Sequence, residues 1–297
     1  MALTAIVPMA AGATPQRSEL GPSTSRAPST VLQDDCAGGE IYDDGTRENG
    51  YTGIGDTTFD AVQRFTPAAY PTRYTTVCIP LVSLSEPTLT FEVRIWDDDG
   101  AGGTPGTLLR AYPTSASGIA AALPCSWHPI PVTSPALTIK SGSVFIGLRW
   151  NSAAQPNRYI CVDESVETPL HPGYINKSLA GWVPTQNQFP NYRAFAIRAE
   201  RKIVKRVRLR AFPGAVEPGQ LVELVARVKP CVQGDRHVIG LQEKKGAWKN
   251  VARKRTTGAC KATFRRKVGK TTRFRAFTPG NMEYFPARSR PVKVRVV

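Results

Sequence analysis

Histidine, methionine and long apolar runs are scarce in this sequence. It holds three His and three Met among 297 residues, and no apolar run reaches the roughly 18–20 residues of a membrane-spanning helix. We therefore expect neither a helical bundle nor a transmembrane segment. By contrast, the chain has 25 Gly and 25 Pro, a composition that indicates a turn-rich, all-β protein.

The motifs of common hydrolases are also missing. A Ser/His/Asp arrangement needs a histidine that exchanges a proton near neutral pH. His128 and His171 lie in Pro-rich stretches, and His237 lies in a strongly basic region. Neither a Gly-x-Ser-x-Gly elbow nor a His-Glu-x-x-His helix is present. We predict that the protein is not an enzyme.

Charge divides the chain in two. Residues 1–200 carry 13 basic and 18 acidic side chains, a balance of −5, whereas residues 201–297 carry 26 and 5, a balance of +21. Regions of opposite sign and this total length favour two domains. The hydrophobic content of 41% suffices for a core in each. We predict domains at 31–200 and 201–297.

The N-terminus has the character of an export signal. Residues 1–13 are apolar and end in Ala-Gly-Ala, the small-x-small pattern that signal peptidase accepts. No basic segment precedes them, so we expect a truncated signal peptide whose true start codon lies upstream. The alternative is an N-terminal tail. Residues 14–30 are rich in Ser, Thr, Pro and Gly and indicate a linker. We predict a secreted or cell-surface protein.

The six cysteines favour disulfides. No CxxC spacing suggests zinc, and an even count behind an export signal is typical of disulfide-bonded proteins. Cys231 and Cys260 are the one pair in the basic domain, and a bond between them would close a loop of about 30 residues, worth about 3–4 kcal/mol. Free buried thiols are the alternative. The other cysteines allow three pairings, which the sequence does not distinguish: Cys36, Cys78, Cys125 and Cys161.

The basic domain shows strand-like alternation. Val207 to Phe212 and Phe274 to Phe277 alternate apolar with basic residues, as strands with one buried face do. Turn residues separate the segments. Seven segments fit the strand number of an immunoglobulin-like sandwich: residues 204–212, 220–229, 237–244, 248–255, 262–268, 272–278 and 292–297.

Short motifs in residues 203–297 carry a resemblance. They are Val216-Glu217-Pro218-Gly219-Gln220, Pro230-Cys231, Lys245-Gly246-Ala247-Trp248 and Gly258-Ala259-Cys260. This region resembles the basic Ig-like repeats of bacterial exported and cell-surface proteins. The resemblance implies a bond between Cys231 and Cys260, with Trp248 on a strand after the lysine-rich turn.

Residues 31–200 also consist of predicted strands, with Phe91 to Trp96 alternating and Val144 to Trp150 more fully apolar. Four motifs are Ile41-Tyr42-Asp43-Asp44-Gly45 with Glu48 and Gly50, Arg64-Phe65-Thr66-Pro67, the Asp- and Gly-rich loop 97–106, and Gly181-Trp182. On these motifs the region resembles a β-sandwich module of secreted bacterial proteins. The resemblance implies a jelly-roll-like fold and no assigned activity.

Several carboxylates stand in Gly-flanked loops. We expect no cofactor; because such oxygens suit calcium, which takes several hard ligands from flexible loops, the candidate ligands of a structural calcium ion are Asp43, Asp44 and Glu48. Solvated turns or a glycosidase acid–base pair are the alternatives. The further carboxylates considered for such a pair are Asp97, Asp98, Asp99, Asp163 and Glu164.

Aromatic side chains offer a second candidate site. Trp96 shares a strand face with Glu92 and Arg94, and a ring beside polar groups can stack on a sugar. Burial in the sandwich core is the alternative. The candidate carbohydrate-binding residues are Trp96, Trp150, Trp182 and Tyr192.

The basic domain predicts binding to a polyanion. A field of this strength attracts anionic polymers, and since no nucleic-acid module is present we expect no specific nucleic acid. A solvated face is the alternative. We predict a non-enzymatic surface-binding or structural protein whose partner is an anionic envelope polymer or polysaccharide; a carbohydrate-binding accessory module or degenerate glycoside hydrolase is the second hypothesis. The candidate residues are Arg206, Arg208, Arg210, Arg253, Lys254, Arg255, Arg265 and Arg266.

Overall fold

The computed structural model describes residues 36, 38–133, 136–231 and 236–297. The predicted signal peptide (residues 1–13) and linker (residues 14–30) lie outside the described residues. In the described part of the chain, no helix has the length and apolar character needed to cross a bilayer.

The described residues up to Ile203 form short strands and one single-turn helix, α1 (Thr185–Gln188). The strands are β1 (Asn49–Tyr51), β2 (Phe59–Phe65), β3 (Thr72–Ser83), β4 (Thr88–Asp97), β5 (Leu108–Ser117), β6 (Ser126–Pro131), β7 (Val144–Trp150), β8 (Arg158–Asp163), β9 (Gly173–Lys177), β10 (Val183–Pro184), β11 (Ala194–Phe195) and β12 (Arg198–Ile203).

These strands build two antiparallel sheets. The first sheet has the order β1-β8-β3-β12, with β11 also paired to β8 and β6 to β3; the second sheet has the order β10-β9-β2-β7-β4-β5. Their facing sides share one core that includes Tyr51, Phe59, Ile146, Trp150 and Phe195. Strand β7 is apolar along most of its length because both of its faces are covered.

A second set of strands follows Ile203. They are β13 (Arg206–Phe212), β14 (Ala215–Val216), β15 (Gln220–Lys229), β16 (Val238–Lys245), β17 (Ala247–Arg255), β18 (Lys261–Val268), β19 (Thr272–Thr278), β20 (Ala287–Arg288) and β21 (Val292–Val296). The third sheet has the order β13-β15-β18; the fourth has the order β14-β21-β19-β16-β17, with β20 on β19. Strand β14 pairs with β21 in parallel.

The third and fourth sheets enclose a core of their own. Val207 and Leu209 of β13 meet Phe264, Phe274 and other apolar residues there, while the arginines between them point outward. The alternation read in the sequence therefore sets which side of the sheet is buried. The prediction of an all-β chain built from two sandwiches is confirmed.

All six cysteines are paired. Cys36 bonds to Cys78, Cys125 to Cys161 and Cys231 to Cys260. The pairing of the first four, which the sequence left open, follows from their places around the first sheet. The last bond joins the end of β15 to the start of β18, as the resemblance implied. Trp248 lies on β17, with the Arg275 guanidinium 4.2 Å from its ring centroid.

Breaking the bond between Cys231 and Cys260 should destabilise the chain. Cys231→Ala is expected to lower the free energy of unfolding by about 3–4 kcal/mol, since the bond closes a loop with a sequence separation of 29 residues. Urea unfolding of the oxidised proteins gives this difference. Wild-type protein under full reduction serves as the control, and an unchanged midpoint for the variant would contradict the prediction.

The link between the two sandwiches is short. The first sheet extends to Ile203, and β13 begins after Val204 and one further residue. The Val204 N–H donates to the Pro71 carbonyl (2.8 Å), and the Ile203 N–H donates to the Glu283 carbonyl (2.8 Å). The Phe285 N–H in turn donates to the Ile203 carbonyl (3.1 Å). These bonds hold the segment between β19 and β20, and the chain just before β13, beside the start of β3.

Candidate polyanion-binding face and groove

The outer side of the third sheet carries a dense array of cations. In the register of the sheet, Arg206 lies opposite Lys229, Arg208 opposite Arg227, and Arg227 opposite Lys261. We call the outward-facing set of exposed or half-exposed cations the basic face; it comprises Arg206, Arg208, Arg210, Arg227, Lys229, Lys261, Arg265 and Lys267.

The spacing on this face is regular. Alternate residues of one strand are about 6–7 Å apart, and neighbouring strands are about 4.8 Å apart. Glu223 is the acidic residue among them, opposite Phe212 and Arg265. Within the described residues Arg206, Arg208 and Arg210 make no ion pair. Their charge is therefore available to an external anion.

A groove of about 880 Å³ runs between the basic face and the first sandwich. Arg206, Arg208 and Arg210 line one wall, and Arg73 and Lys140 line the opposite wall. The groove residues of the first sandwich were not among the predicted site residues, because no local pattern marks a lone Arg on β3 or a lone Lys in a loop.

Arg73 is held in place by its neighbours. Its Nε donates to the Thr138 hydroxyl (2.6 Å), and its guanidinium lies 5.8 Å from the ring centroid of Phe285. The Nε atom of Arg73 is thus engaged, and this bond fixes the plane in which the two terminal guanidinium nitrogens lie.

The other predicted polyanion residues lie elsewhere. Arg253, Lys254 and Arg255 are exposed on β17, an edge of the fourth sheet, and Lys254 donates to the Thr263 carbonyl (2.8 Å). Arg266 faces the opposite side from Arg265 because adjacent strand residues alternate, and its guanidinium pairs with Glu243 (3.9 Å). The inclusion of Arg266 with Arg265 in one surface is wrong.

Most of the predicted sugar-stacking aromatics are buried. Trp150 is 2% exposed and packs on Phe59 in the first core. Tyr192 is fully buried, donates to the Gln63 side-chain oxygen (3.0 Å), and burial raises its pKa. Neither ring can meet a ligand, so both assignments are wrong for the same reason: the residues fill the space between the sheets.

Trp96 lies on the strand face that the alternation of β4 predicts, the face of Glu92 and Arg94. Other side chains nevertheless cover its ring. It contacts Phe145 and Val62 in a small cluster on the outer side of the second sheet, and Trp182 packs edge-on against it at 5.2 Å. Trp96 is 4% exposed, which corrects its assignment as a stacking platform. Trp182 is half-buried and keeps part of its ring accessible.

Ion pairs also lie on the outer side of the second sheet. Arg149 forms two hydrogen bonds to Asp60, of 2.6 and 2.7 Å, and Arg94 donates to Glu92 (2.6 Å). The Asp60 side chain is fully buried, and this burial raises its pKa although Arg149 acts in the other direction. The pairing of Asp60 with Arg149 was not predicted from the sequence, because a single charged residue in an apolar strand can equally lie at the edge of a sheet.

The predicted calcium set separates in the structure. Asp43 forms two hydrogen bonds with Arg198, of 2.7 and 3.1 Å, so its carboxylate is committed to a guanidinium and lies outside the carboxylate cluster that its neighbours form. Asp44 and Glu48 instead meet Asp163, with carboxylate oxygens within 4.8 Å of one another. These three could hold a cation, and calcium there stays a prediction.

Protein donors already use much of this carboxylate cluster. Asp163 accepts bonds from the Asp44 N–H (2.9 Å) and the Thr168 hydroxyl (2.8 Å), and burial raises its pKa. Burial acts in the same direction on Asp44, but hydrogen bonds from Thr46 outweigh it and lower the pKa. The loop is thus ordered by its own N–H and hydroxyl groups.

His128 and His171 make structural contacts with neighbouring side chains. His128 shares a 2.8 Å hydrogen bond with the Ser126 hydroxyl, which also accepts the Ala120 N–H. His171 stacks on Tyr42 with centroids 3.6 Å apart. Burial lowers the pKa of both imidazoles.

Comparison with known proteins gives little on function. No protein-family model and no curated protein matches the chain. Among solved structures, two variants of a superoxide reductase (neelaredoxin) from Ignicoccus hospitalis are 16% identical, covering 31% of this chain and 80% of theirs, with a TM-score of 0.27. The sulfur carrier protein SoxY from Chlorobium limicola f thiosulfatophilum is 14% identical, covering 32% of this chain and 84% of its own, with a TM-score of 0.25. TM-scores this low carry no inference about this chain.

Proposed function

We propose that this chain is an exported bacterial protein without catalytic activity that binds an anionic polymer of the cell envelope. The observation that supports this is the basic face, with Arg206, Arg208 and Arg210 exposed and outside any ion pair among the described residues. Three disulfides also suit an oxidising compartment outside the cytoplasm.

A repeating partner fits the face better than a compact one. The balance of +21 over residues 201–297 far exceeds the magnitude of about 2–8 that keeps a small domain soluble. Such an excess lowers stability through self-repulsion, which a polyanion would relieve. Regularly spaced cations can pair with the repeating charges of a linear polymer, and this pairing does not depend on the order of its units.

The test compares two sets of three neutralising substitutions. R206Q/R208Q/R210Q should lower affinity for polygalacturonate and for poly(glycerol phosphate) by about 100-fold at about 50 mM salt, because three ionic contacts are lost. The control R273Q/R288Q/R295Q removes the same charge from exposed positions of the fourth sheet and should change affinity by less than about threefold. Equal losses in the two variants would mean that net charge alone governs binding.

The second hypothesis is a carbohydrate-binding accessory module or degenerate glycoside hydrolase in the first sandwich. The specific observation in its favour is Trp182, whose half-buried ring lies against Trp96 on the sheet face that also carries Glu92 and Arg94. Incubation with neutral and acidic polysaccharides separates the hypotheses. Binding to a neutral glycan that W182A abolishes would support the second, and released reducing ends would show hydrolysis.

A further inference from the structure

The groove between the sandwiches has cationic walls that come from both. Arg73, on β3, and Lys140 face Arg206, Arg208 and Arg210 across it. An anion seated in the groove would therefore meet guanidinium and ammonium groups on two sides, whereas an anion on the open part of the basic face meets them on one side.

The lining of the groove also includes apolar surface. Phe212 lines it and is 54% exposed, a large exposure for an aromatic residue. Val204, Val225 and Pro71 contribute further apolar atoms to the lining. A ligand that carries charge and nothing else would leave this surface in water.

We propose that the groove binds a short segment of an acidic polysaccharide, with both sandwiches as ligand-binding walls; this rests on the proposed function of the basic face. Sugar rings present apolar C–H faces, which suit Phe212, and their carboxylate or sulfate groups suit the arginines. A polyphosphate matches the charge but not the apolar surface. The volume of about 880 Å³ lies within the roughly 300–1,000 Å³ of ordinary ligand sites.

The groove is formed before the ligand arrives. The Val204 N–H to Pro71 carbonyl bond and the paired bonds at Ile203 fix the two sandwiches to each other beside Pro71 and Val204, which both line the groove. Arg73 is further held by Thr138. Because these groups are ordered in the free protein, binding costs less conformational entropy than it would with two loosely tethered domains.

The first arm of the test neutralises the wall from the first sandwich in the full chain. R73Q/K140Q should lower affinity for polygalacturonate about tenfold at about 50 mM salt, while R273Q/K293Q, which removes one Arg and one Lys from exposed positions of β19 and β21, should leave it within about twofold. K140Q alone, at an exposed position, should give an intermediate loss if the double variant is destabilised. Unchanged affinity in R73Q/K140Q, together with a loss in R206Q/R208Q/R210Q, would overturn the two-walled site but not the proposed function. Unchanged affinity in both would overturn both.

The second arm tests the class of ligand. F212A should lower affinity by about five- to tenfold for polygalacturonate and for heparin, whose sugar rings carry sulfate as well as carboxylate groups. It should have little effect on affinity for polyphosphate of similar length. L221A is the matched control, because Leu221 is an exposed apolar residue that lies on β15 and outside the groove. Equal effects of F212A on polygalacturonate and polyphosphate, or none on either, would contradict the polysaccharide assignment.

Discussion

The affinity of the full chain for polygalacturonate, a single-stranded polyanion, should fall by about 300-fold when salt is raised from about 50 to about 200 mM, if about six contacts form. The basic face presents eight cations in register across β13, β15 and β18. A linear polyanion bound along these rows would release its condensed counterions, and this release weakens as the salt concentration rises.

The slope of log affinity against log salt is the measurement. R206Q/R208Q/R210Q should reduce the slope by about two, because each ionic contact to a single-stranded polyanion contributes about 0.7. R273Q/R288Q/R295Q, at exposed positions of the fourth sheet, should keep the wild-type slope. No detectable binding at the lower salt would leave the charge as a solvated face, and tight binding with a shallow slope would assign the affinity to uncharged contacts.

Asp43→Ala should lower the free energy of unfolding by about 3–5 kcal/mol, the usual result of removing one partner of a buried ion pair. The Asp43 carboxylate is fully buried and the Arg198 side chain is 9% exposed. Arg198 also donates to the Cys36 carbonyl (3.2 Å) and lies 4.4 Å from the Trp127 ring centroid. Without Asp43, its positive charge would stay in a low-dielectric site without this carboxylate.

Three further measurements define the origin of that loss. D44A, at an exposed neighbouring carboxylate, is the control and should cost less than about 1 kcal/mol in stability. D43L/R198M should recover part of the loss, because the pair is replaced by apolar groups of similar size. A chelator should leave the difference between wild type and D43A unchanged; a difference that disappears in chelator would return Asp43 to a calcium site.

The fold could be predicted to the level of class and strand number. The seven long strands of the basic domain follow from alternation and turn residues, and the structure places strands within a few residues of each predicted segment. The additional short strands β14 and β20 carry no such pattern. β14 pairs with the outer side of β21, and β20 pairs with the part of β19 that lies beyond its pairing with β21.

The candidate site could be predicted only in part. Arg206, Arg208 and Arg210 share a face because they alternate on one strand, which is a local property. The separation of Arg253 from them depends on β17 joining the fourth sheet and not the third. Strand partners are chosen by contacts that sequence spacing does not encode.

Composition and the spacing of neighbouring residues predict the all-β structure, the charge division near residue 200 and the outward row of arginines on β13. The packing of the sheets sets the pairing of the first four cysteines, the burial of Trp150 and Tyr192, the contact of Asp43 with Arg198 and the place of Arg73 in the groove beside β13. These features depend on residues that are far apart along the chain. Asp43 and Arg198 are 155 residues apart, so their contact depends on how the sheets pack and not on any pattern within one strand.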